Sequence, residues 1–317
     1  MPNSLDLAPI VLFVYNRLEH TKKTIDSLKL NQLASESSLF IFSDGPKDTS
    51  LTESVGLVRH YLAEVQSGFK NITVIERETN MGLANSIISG VTEIIKRFGK
   101  VIVLEDDMIT SPFFLQFMNE ALALYEPEEM VGAVSGYIYP IIDELPTTFL
   151  LKGPFGCWGW GTWKRNWDLF NPNGTELLEE ISRKRRAKKQ FDVNGTHGYV
   201  QMLKDQIAKK NNSWAIRFYA SMFLNKKLFL FPGKSLIINI GFDGFGVHCG
   251  NSSNFDVELA SHPIEVKRIP VKENQKARKS LEKFFGSLKR PIAIRVISKI
   301  GRLIRAVYRR YFLLNTA

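Results

Sequence analysis

Three consecutive acidic residues, Glu105, Asp106 and Asp107, directly follow the aliphatic run 101–104. An unbroken aliphatic run of this length is typical of a strand buried on both faces of a parallel sheet. Ligands of open α/β sheets bind at the carboxyl ends of strands, and three carboxylates placed there repel one another unless a cation joins them. The triplet therefore predicts a divalent-metal site, although a solvated turn or a helix start at 110–112 would use similar residues.

Strand and helix patterns alternate along the first part of the chain. Short segments rich in apolar residues predict strands at 9–15, 39–42, 72–75 and 101–104. Apolar residues at helical spacing predict helices at 18–30, 52–65, 85–98 and 112–125. Strands that alternate with helices over short connections are typical of α/β proteins. We therefore expect a mostly parallel, Rossmann-like sheet with helices on both faces.

Polar residues also follow the other predicted strands. Asn16 and Arg17 follow the first, Asp44 the second, and Arg77 and Asn80 the third. The carboxyl ends of parallel strands share one edge of the sheet, so these side chains are expected beside the acidic triplet. The chain has no GxGxxG after the first strand and no GxxxxGKS/T, which argues against dinucleotide and P-loop phosphate binding. A nucleotide would instead be held by side chains and by a metal on its phosphates.

Glycine and tryptophan are concentrated in the segment 149–167. Aromatic rings on glycine-rich turns suit stacking against a sugar ring, but tryptophan also fills protein cores. We expect two of the four tryptophans in this segment to pack in the core, and take Trp158 and Trp160 as candidates for sugar contact.

A second glycine-rich segment, 241–254, contains Asp243 and His248. Such a loop could close over a bound ligand and exclude water. A disordered connector is the alternative interpretation.

The composition is that of an ordinary globular protein of 317 residues, with 44% hydrophobic and 23% charged residues. The net charge of +10 is concentrated in one place, because the segment from Lys276 onward holds twelve basic residues and one acid. The rest of the chain is nearly neutral, which argues against nucleic-acid binding across the folded body. Cys157 and Cys249 lie far apart without CxxC spacing, so no structural zinc site is expected and a reduced, cytoplasmic compartment fits.

The tail has the clearest helical period in the chain. Between 290 and 312, apolar residues recur at i, i+3, i+4 and i+7, with basic residues on the other face. An amphipathic helix of this kind binds anionic lipid headgroups, at about 1 kcal/mol per basic residue near the surface. We predict that 288–312 holds the protein peripherally on the cytoplasmic face of a membrane. A helix that packs on the body, or one that grips another subunit, would explain the same pattern.

Taken in order, five motifs resemble those of the GT-A class of nucleotide-sugar glycosyltransferases. The resemblance is greatest to the N-acetylglucosaminyltransferase of N-glycan maturation and its bacterial family-2-like relatives, and it covers roughly 9–254. The matching segments are the first strand with Asn16 and Arg17, Ser43 and Asp44, Asn80 to Ala84, Glu105 to Asp107, and Pro232 to His248. The resemblance implies a GT-A fold and a nucleotide-diphosphate donor, with a lean to a UDP-sugar.

The resemblance also implies roles for individual residues. Asp107 would ligate Mn²⁺ or Mg²⁺ on the donor diphosphate, with His248 as a second candidate ligand, and Asp44 would bind the uracil. The other candidates for donor binding are Asn16, Arg17, Arg77, Asn80, Gly82, Glu105 and Asp106.

The catalytic base of this family lies in a Trp-Asp-Asp-Trp stretch that the chain lacks. The matching stretch begins at Trp214, a candidate for acceptor contact, but Ala215 and Ile216 stand where the acids would be. Inverting transfer needs a carboxylate that deprotonates the acceptor hydroxyl. Asp205 and Asp243 are the remaining candidates, and Asp205 is favoured.

These patterns predict a catalytic domain at 1–272, with a nucleotide-sugar half at 1–136 and an acceptor half at 137–272, followed by a basic tail at 273–317. We expect a metal-dependent, inverting glycosyltransferase that acts on a glycan or lipid-linked acceptor in surface polysaccharide or glycoconjugate synthesis. Two alternatives stay open. A sugar-nucleotide nucleotidyltransferase would normally carry a glycine-rich basic loop after the first strand, and a non-catalytic sugar-binding scaffold would need no base.

Overall fold

The computed structural model describes residues 6–241 and 254–288. The strands are β1 (Ile10–Val14), β2 (Ser38–Ser43), β3 (Asn71–Glu76), β4 (Lys100–Glu105), β5 (Met108–Thr110), β6 (Val131–Ser135), β7 (Thr148–Leu151), β8 (Trp160–Trp163), β9 (Leu228–Pro232) and β10 (Ile237–Asn239). The helices are α1 (Leu18–Lys29), α2 (Thr52–Glu64), α3 (Leu83–Phe98), α4 (Phe114–Leu124), α5 (Lys164–Trp167), α6 (Gly174–Arg183), α7 (Ala187–Phe191), α8 (Tyr199–Ile207), α9 (Trp214–Leu224) and α10 (Gln275–Ser287).

Eight of the strands form one sheet in the order β3-β2-β1-β4-β8-β6-β9-β7. The four strands β1 to β4 lie side by side and run in one direction. β8 is antiparallel to both β4 and β6, and β7 is antiparallel to β9, whereas β6 and β9 are parallel to each other. Six of the eight strands therefore point the same way, and the predicted α/β fold with a mostly parallel sheet is confirmed.

Alternate side chains of the central strands enter two apolar cores, one on each face of the sheet. Val11 and Phe13 of β1 belong to the core that contains residues of α3 and α6 to α10. Ile10, Leu12 and Val14 belong to the core that contains residues of α1, α2 and α4. All five residues of β1 are buried, which explains why this strand is continuously aliphatic.

The strand β8 is the main departure from the expected order of elements. The sequence predicted sugar-binding turns within 149–167, but Trp160–Trp163 forms a buried antiparallel strand between β4 and β6. Gly161 permits this insertion, because a Cβ there would lie 3.0 Å from the backbone oxygen of Val101 on β4. A four-residue strand that contains a glycine carries too short a pattern to be recognised in the sequence.

A small antiparallel ribbon of β5 and β10 accompanies the main sheet. β5 was not predicted, since the residues at 110–112 favoured a helix start, whereas α4 begins at Phe114. The ribbon pairs Met108 with Asn239. It thereby brings a late part of the chain next to the acidic triplet.

Helix α10 packs on the folded body. Its residues Ala277, Leu281 and Phe285 are buried in the core that also contains α3. The tail predicted from residue 273 therefore begins with a helix of the body. The amphipathic segment 290–312 lies outside the described residues. Within 6–241 and 254–288, no helix is long and apolar enough to cross a membrane.

Candidate functional site

The acidic triplet lies at the carboxyl end of β4, as the sequence predicted. Glu105 ends the strand, and Asp106 and Asp107 form the turn into β5. The Thr24 hydroxyl of α1 donates to the Asp106 carbonyl oxygen (2.8 Å) and accepts from the Met108 N–H (3.2 Å). Thr24 is fully buried and lies far from the turn in sequence. Its two hydrogen bonds fix the backbone of the turn.

The residues after β10 hold the same turn from another side. The Ile240 N–H donates to the Asp107 carbonyl oxygen at 2.9 Å. Gly241 lies so close that a Cβ there would be 2.2 Å from Asp107 Oδ2 and would displace this carboxylate. The chain then enters 242–253, and the predicted ligand His248 and the candidate base Asp243 lie outside the described residues.

One arginine bridges the two aspartates of the triplet. Arg17, directly after β1, donates from Nη2 to Asp106 Oδ1 and also to Asp107 Oδ2, the second contact being 2.8 Å. Asp106 and Asp107 are only 5% and 7% exposed. The family resemblance placed Arg17 beside a nucleotide, and the structure places it between two carboxylates that need a positive charge to be buried together.

Burial governs protonation at the triplet. It raises the pKa of Glu105 to about 8, and repulsion from Asp107 and Asp106 adds to the effect. Burial also raises the pKa of Asp106 to about 6, against the attraction of Arg17. For Arg17, burial would lower the pKa, but the two aspartates outweigh it and raise the pKa above its ordinary value. Burial therefore favours the protonated form of Glu105, and Arg17 keeps its charge at neutral pH.

One oxygen of each aspartate has no partner among the described residues. Asp106 Oδ2 and Asp107 Oδ1 are buried and accept no hydrogen bond from that part of the chain. Buried polar atoms are otherwise nearly always bonded to a donor, a water or an ion, and carboxylate oxygens are the ligands that hard divalent cations prefer. These atoms therefore fit the predicted metal.

The described residues would not hold a metal by themselves. Within their ranges, no group of three or more acidic, histidine or cysteine side chains is arranged around a possible ion. Mg²⁺ is commonly bound by one or two carboxylates together with substrate phosphates. A metal at Asp107 would accordingly need ligands from a bound phosphate or from residues such as His248.

Asp44 organises the neighbouring strand end. Its carboxylate accepts from the N–H groups of Gly45 (3.0 Å), Met81 (2.8 Å) and Gly82 (2.9 Å), and from the Asn80 amide (3.2 Å). These bonds fasten the end of β2 to the segment that opens α3. The structure thus brings together Asp44, Asn80 and Gly82, which the sequence singled out separately, and β2 lies beside β1 in the sheet. Uracil binding by Asp44 stays a prediction.

Arg77 and Asn16 flank this part of the sheet edge. The Arg77 N–H donates to the Ser43 carbonyl oxygen (2.9 Å), and its guanidinium lies 5.1 Å from the centre of the Phe42 ring. Asn16 is half-buried after β1. Arg59 of α2, which the sequence did not single out, donates to the Arg77 carbonyl oxygen at 2.7 Å. It belongs to no motif, so only the folded structure reveals its position.

The candidate tryptophans divide into two groups. Trp160 and Trp214 are 1% and 3% exposed, and their rings stack at 5.0 Å inside the core. A sugar cannot reach these rings, so the predicted sugar contact is corrected for both residues. Trp158 is half-buried and lies 4.5 Å from the Tyr137 ring, just beyond the carboxyl end of β6. Trp158 therefore keeps a position at the edge of the sheet where the site lies.

The candidate base Asp205 lies on the surface of α8. Its carboxylate is 3.4 Å from Lys210 Nζ and accepts from the Gln201 amide at 3.1 Å. Both contacts are those of an ordinary helix-surface residue. A role in catalysis would require Asp205 to exchange these partners for an acceptor hydroxyl.

Comparison with known proteins finds only slight similarity. No protein-family profile matches the chain, and neither does any curated protein. The chain is similar to a crystal structure of S. aureus TarS, with 17% identity over 40% of this chain and 21% of that one and a TM-score of 0.28. It is also similar to a crystal structure of S. aureus TarS 1-349, with 12% identity over 72% of this chain and 59% of that one and a TM-score of 0.39. The chain therefore spans less than two thirds of either solved relative, and similarity at this level shows no function.

Proposed function

We propose that this protein is a glycosyltransferase that moves a sugar from a nucleotide-diphosphate donor, a UDP-sugar, to a glycan or lipid-linked acceptor. This sugar transfer would be a step in the synthesis of surface polysaccharide or another glycoconjugate. One observation carries the proposal. Two nearly buried aspartates, Asp106 and Asp107, stand at the carboxyl end of β4, each with one oxygen that no described residue satisfies.

Asp107 is the residue that would hold the divalent metal, Mn²⁺ or Mg²⁺, with Asp106 beside it. A bound dication would neutralise charge on the leaving diphosphate. Two carboxylates suffice when the donor phosphates supply further ligands. Glu105, which ends β4 next to these aspartates, would orient the donor sugar or ribose.

Arg17 connects the aspartates to the donor. Its guanidinium pairs with Asp107 Oδ2 at 2.8 Å, and phosphate oxygens offer the same planar, charged recognition. On donor binding, Arg17 would pass from the carboxylates to the diphosphate. The carboxylate oxygen that it leaves would become available to the metal.

The nucleoside would lie over the ends of β1 and β2. There the Asp44 carboxylate holds the backbone of Met81 and Gly82, at 2.8 Å and 2.9 Å. Four hydrogen bonds are about the acceptor capacity of one carboxylate. Asp44 would therefore act largely by fixing the shape of the segment at Met81 and Gly82, which the uracil would contact.

The acceptor hydroxyl must lose a proton for transfer with inversion. We assign this step to a carboxylate, either Asp205 or Asp243. Asp205 would first have to leave Lys210, which lies 3.4 Å away. Trp158, which lies at the same end of the sheet as the triplet, would contact a sugar.

We further propose that residues 288–312 attach the protein to the cytoplasmic face of an anionic membrane. Helix α10 ends at Ser287, so truncation after this residue preserves every described element. The truncated protein should bind anionic vesicles at least about tenfold more weakly and still hydrolyse a soluble donor. Unchanged vesicle binding would contradict this part of the proposal.

A thermal-shift screen of nucleotide sugars, with Mn²⁺ or with EDTA, tests the enzymatic proposal. We expect one UDP-sugar to raise the Tm in Mn²⁺ and to have little effect in EDTA. Stabilisation by a nucleoside triphosphate together with a sugar phosphate would instead indicate a nucleotidyltransferase. Donor binding without transfer to a broad set of acceptors would indicate a sugar-binding scaffold, and no shift with any nucleotide sugar would contradict the proposal.

A further inference from the structure

A large groove lies away from the acidic triplet, along the edge strand β7. Its volume is about 1070 Å³. Lys152 lines it just after β7, and Lys226 and Lys227 line it just before β9. β6 and β9 run in the same direction as β4, because β8 is antiparallel to both β4 and β6, and β7 runs the opposite way. These lysines therefore lie where the parallel strands begin, at the end of the sheet opposite to the triplet.

The groove carries a large excess of positive charge. Six cationic side chains line it: Lys152, Lys184, Arg185, Lys226, Lys227 and Lys272. Within 6–241 and 254–288, Glu273 is the one acid of the lining, and it is already engaged, 3.7 Å from Arg278 Nη1 and bonded to the Lys152 N–H at 3.1 Å. Among the described residues none of the six cations forms a salt bridge, although Lys227 Nζ donates to the Glu129 carbonyl oxygen at 2.7 Å. The groove is therefore complementary to an anion.

The wall of the groove is apolar. Met130 is 43% exposed, and Phe223, Leu224, Ile269 and Val271 are half-buried along the lining. Apolar surface gathered in a concave site is characteristic of ligand binding. A free phosphate ion would meet the cations and leave this wall in water. A neutral apolar molecule would cover the wall and leave the cations unpaired.

We propose that this groove binds one molecule of an anionic membrane phospholipid, with the phosphate among the six cations and an acyl chain along the apolar wall. A volume of about 1070 Å³ accommodates a headgroup and part of a chain. The site gives the folded body a lipid contact of its own. The argument for it uses neither the tail at 288–312 nor the proposed sugar transfer, and its cations at Lys152, Lys226 and Lys227 lie at the opposite end of the strands from the triplet.

Calorimetric titration of the full chain with a short-chain lipid tests this proposal. The probe is dihexanoyl phosphatidylglycerol below its micelle-forming concentration, compared with dihexanoyl phosphatidylcholine and with inorganic phosphate. The anionic lipid should bind at least about tenfold more tightly than either comparison ligand, because it alone satisfies both the cations and the apolar wall.

Two charge-reversed variants from one basic stretch locate the site. Lys184→Glu combined with Arg185→Glu changes two lining residues, and Lys188→Glu combined with Lys189→Glu makes the same charge change at exposed residues outside the lining. The first variant should weaken binding of the anionic lipid about tenfold or more, and the second less than about twofold. Equal weakening by both would overturn the proposal, since it would mean unspecific attraction to net charge.

A second matched pair tests the apolar wall. Met130→Gln alters the lining at a residue that is 43% exposed, and Met202→Gln alters a residue on α8 that is 39% exposed and lies outside it. Met130→Gln should weaken lipid binding about threefold or more, and Met202→Gln should leave it unchanged. Inorganic phosphate that binds as tightly as the lipid, or the absence of lipid binding by the unmodified protein, would also overturn the proposal.

Discussion

The guanidinium of Arg17 lies 2.8 Å from Asp107 Oδ2, so the proposed metal ligand is paired with a positive charge in the protein alone. The pair joins the residue after β1 to the turn after β4. Two aspartates at this edge can be buried together because one arginine compensates their charge. The same arginine suits a diphosphate, so donor binding and release of the Asp107 carboxylate are coupled in the proposed mechanism.

Replacing Arg17 tests its role as counter-ion. Arg17→Gln leaves Asp106 and Asp107 buried without the positive charge, and should lower the free energy of unfolding by about 2 kcal/mol. Millimolar Mn²⁺ should restore part of this loss, because a dication can take over the compensation. Arg183→Gln, at a 74% exposed arginine paired with Glu179, should change stability by less than about 0.5 kcal/mol. Urea unfolding with and without Mn²⁺ measures the stability of both variants. Equal stability of Arg17→Gln and Arg183→Gln would refute the role of Arg17 as counter-ion.

The raised pKa of Glu105 predicts a pH-dependent stability. In the unfolded chain this residue titrates near 4.5, whereas in the folded protein its pKa is about 8. The stability that it contributes is therefore fully present below about pH 4.5 and is lost as the pH rises toward 8. Glu105→Gln does not titrate, so the unmodified protein should lose about 1 to 3 kcal/mol relative to this variant between pH 5 and pH 8.

Urea unfolding at the two pH values measures this difference. Glu144→Gln, at an exposed acid, serves as the control and should keep the pH dependence of the unmodified protein. If Glu105→Gln also keeps that dependence, then burial does not raise the pKa of Glu105 in the folded protein.

Gly241 is predicted to be essential for the shape of the site. In Gly241→Ala the new Cβ would lie 2.2 Å from Asp107 Oδ2, so the carboxylate must move. The affinity for Mn²⁺ with UDP should fall about tenfold or more, which corresponds to about 1.4 kcal/mol. Gly56→Ala, in the middle of α2 with nothing within 4 Å, should keep that affinity and raise stability by about 0.5 to 1 kcal/mol. Unchanged binding by Gly241→Ala would show that the position of Asp107 is unimportant.

The catalytic base can be assigned by two single substitutions. Asp205→Asn and Asp243→Asn each remove one candidate carboxylate, and loss of the true base should lower kcat about 100-fold or more while UDP affinity stays within about twofold. If only one of the two variants loses kcat, the residue replaced in that variant is the base. Full activity of both variants would exclude the two assignments together.

Much of the sheet was predictable because β1 to β4 are local patterns. β1, β2 and β4 each contain an apolar run of four or more residues, as burial on both faces requires, and β3 is a shorter, partly exposed run that includes a threonine. β8 and β5 were not predictable. Gly161 allows β8 to enter beside β4, and β5 pairs with a strand more than a hundred residues later, so neither leaves a period in its own sequence.

The site was predictable in its location and less so in its contacts. Strand ends brought Asp44 and Asn80 to one sheet edge with Asp107, as a parallel sheet requires. The bridge from Arg17 to the aspartates spans 89 and 90 positions in sequence, and no local pattern encodes such a partner. The prediction that Trp160 and Trp214 contact a sugar was wrong for a related reason. Residue type alone does not distinguish a ring in a core from a ring in a binding site.

The most direct test of the account is a calorimetric titration with UDP, in Mn²⁺ and in EDTA, of the unmodified protein and of two variants. Asp107→Asn removes the proposed ligand, and Asp168→Asn makes the same change at a 53% exposed aspartate paired with Lys164. We predict that Mn²⁺ strengthens UDP binding at least about tenfold in the unmodified protein and in Asp168→Asn, and that Asp107→Asn loses this enhancement. Equal UDP affinity with and without Mn²⁺, or full enhancement in Asp107→Asn, would contradict the account.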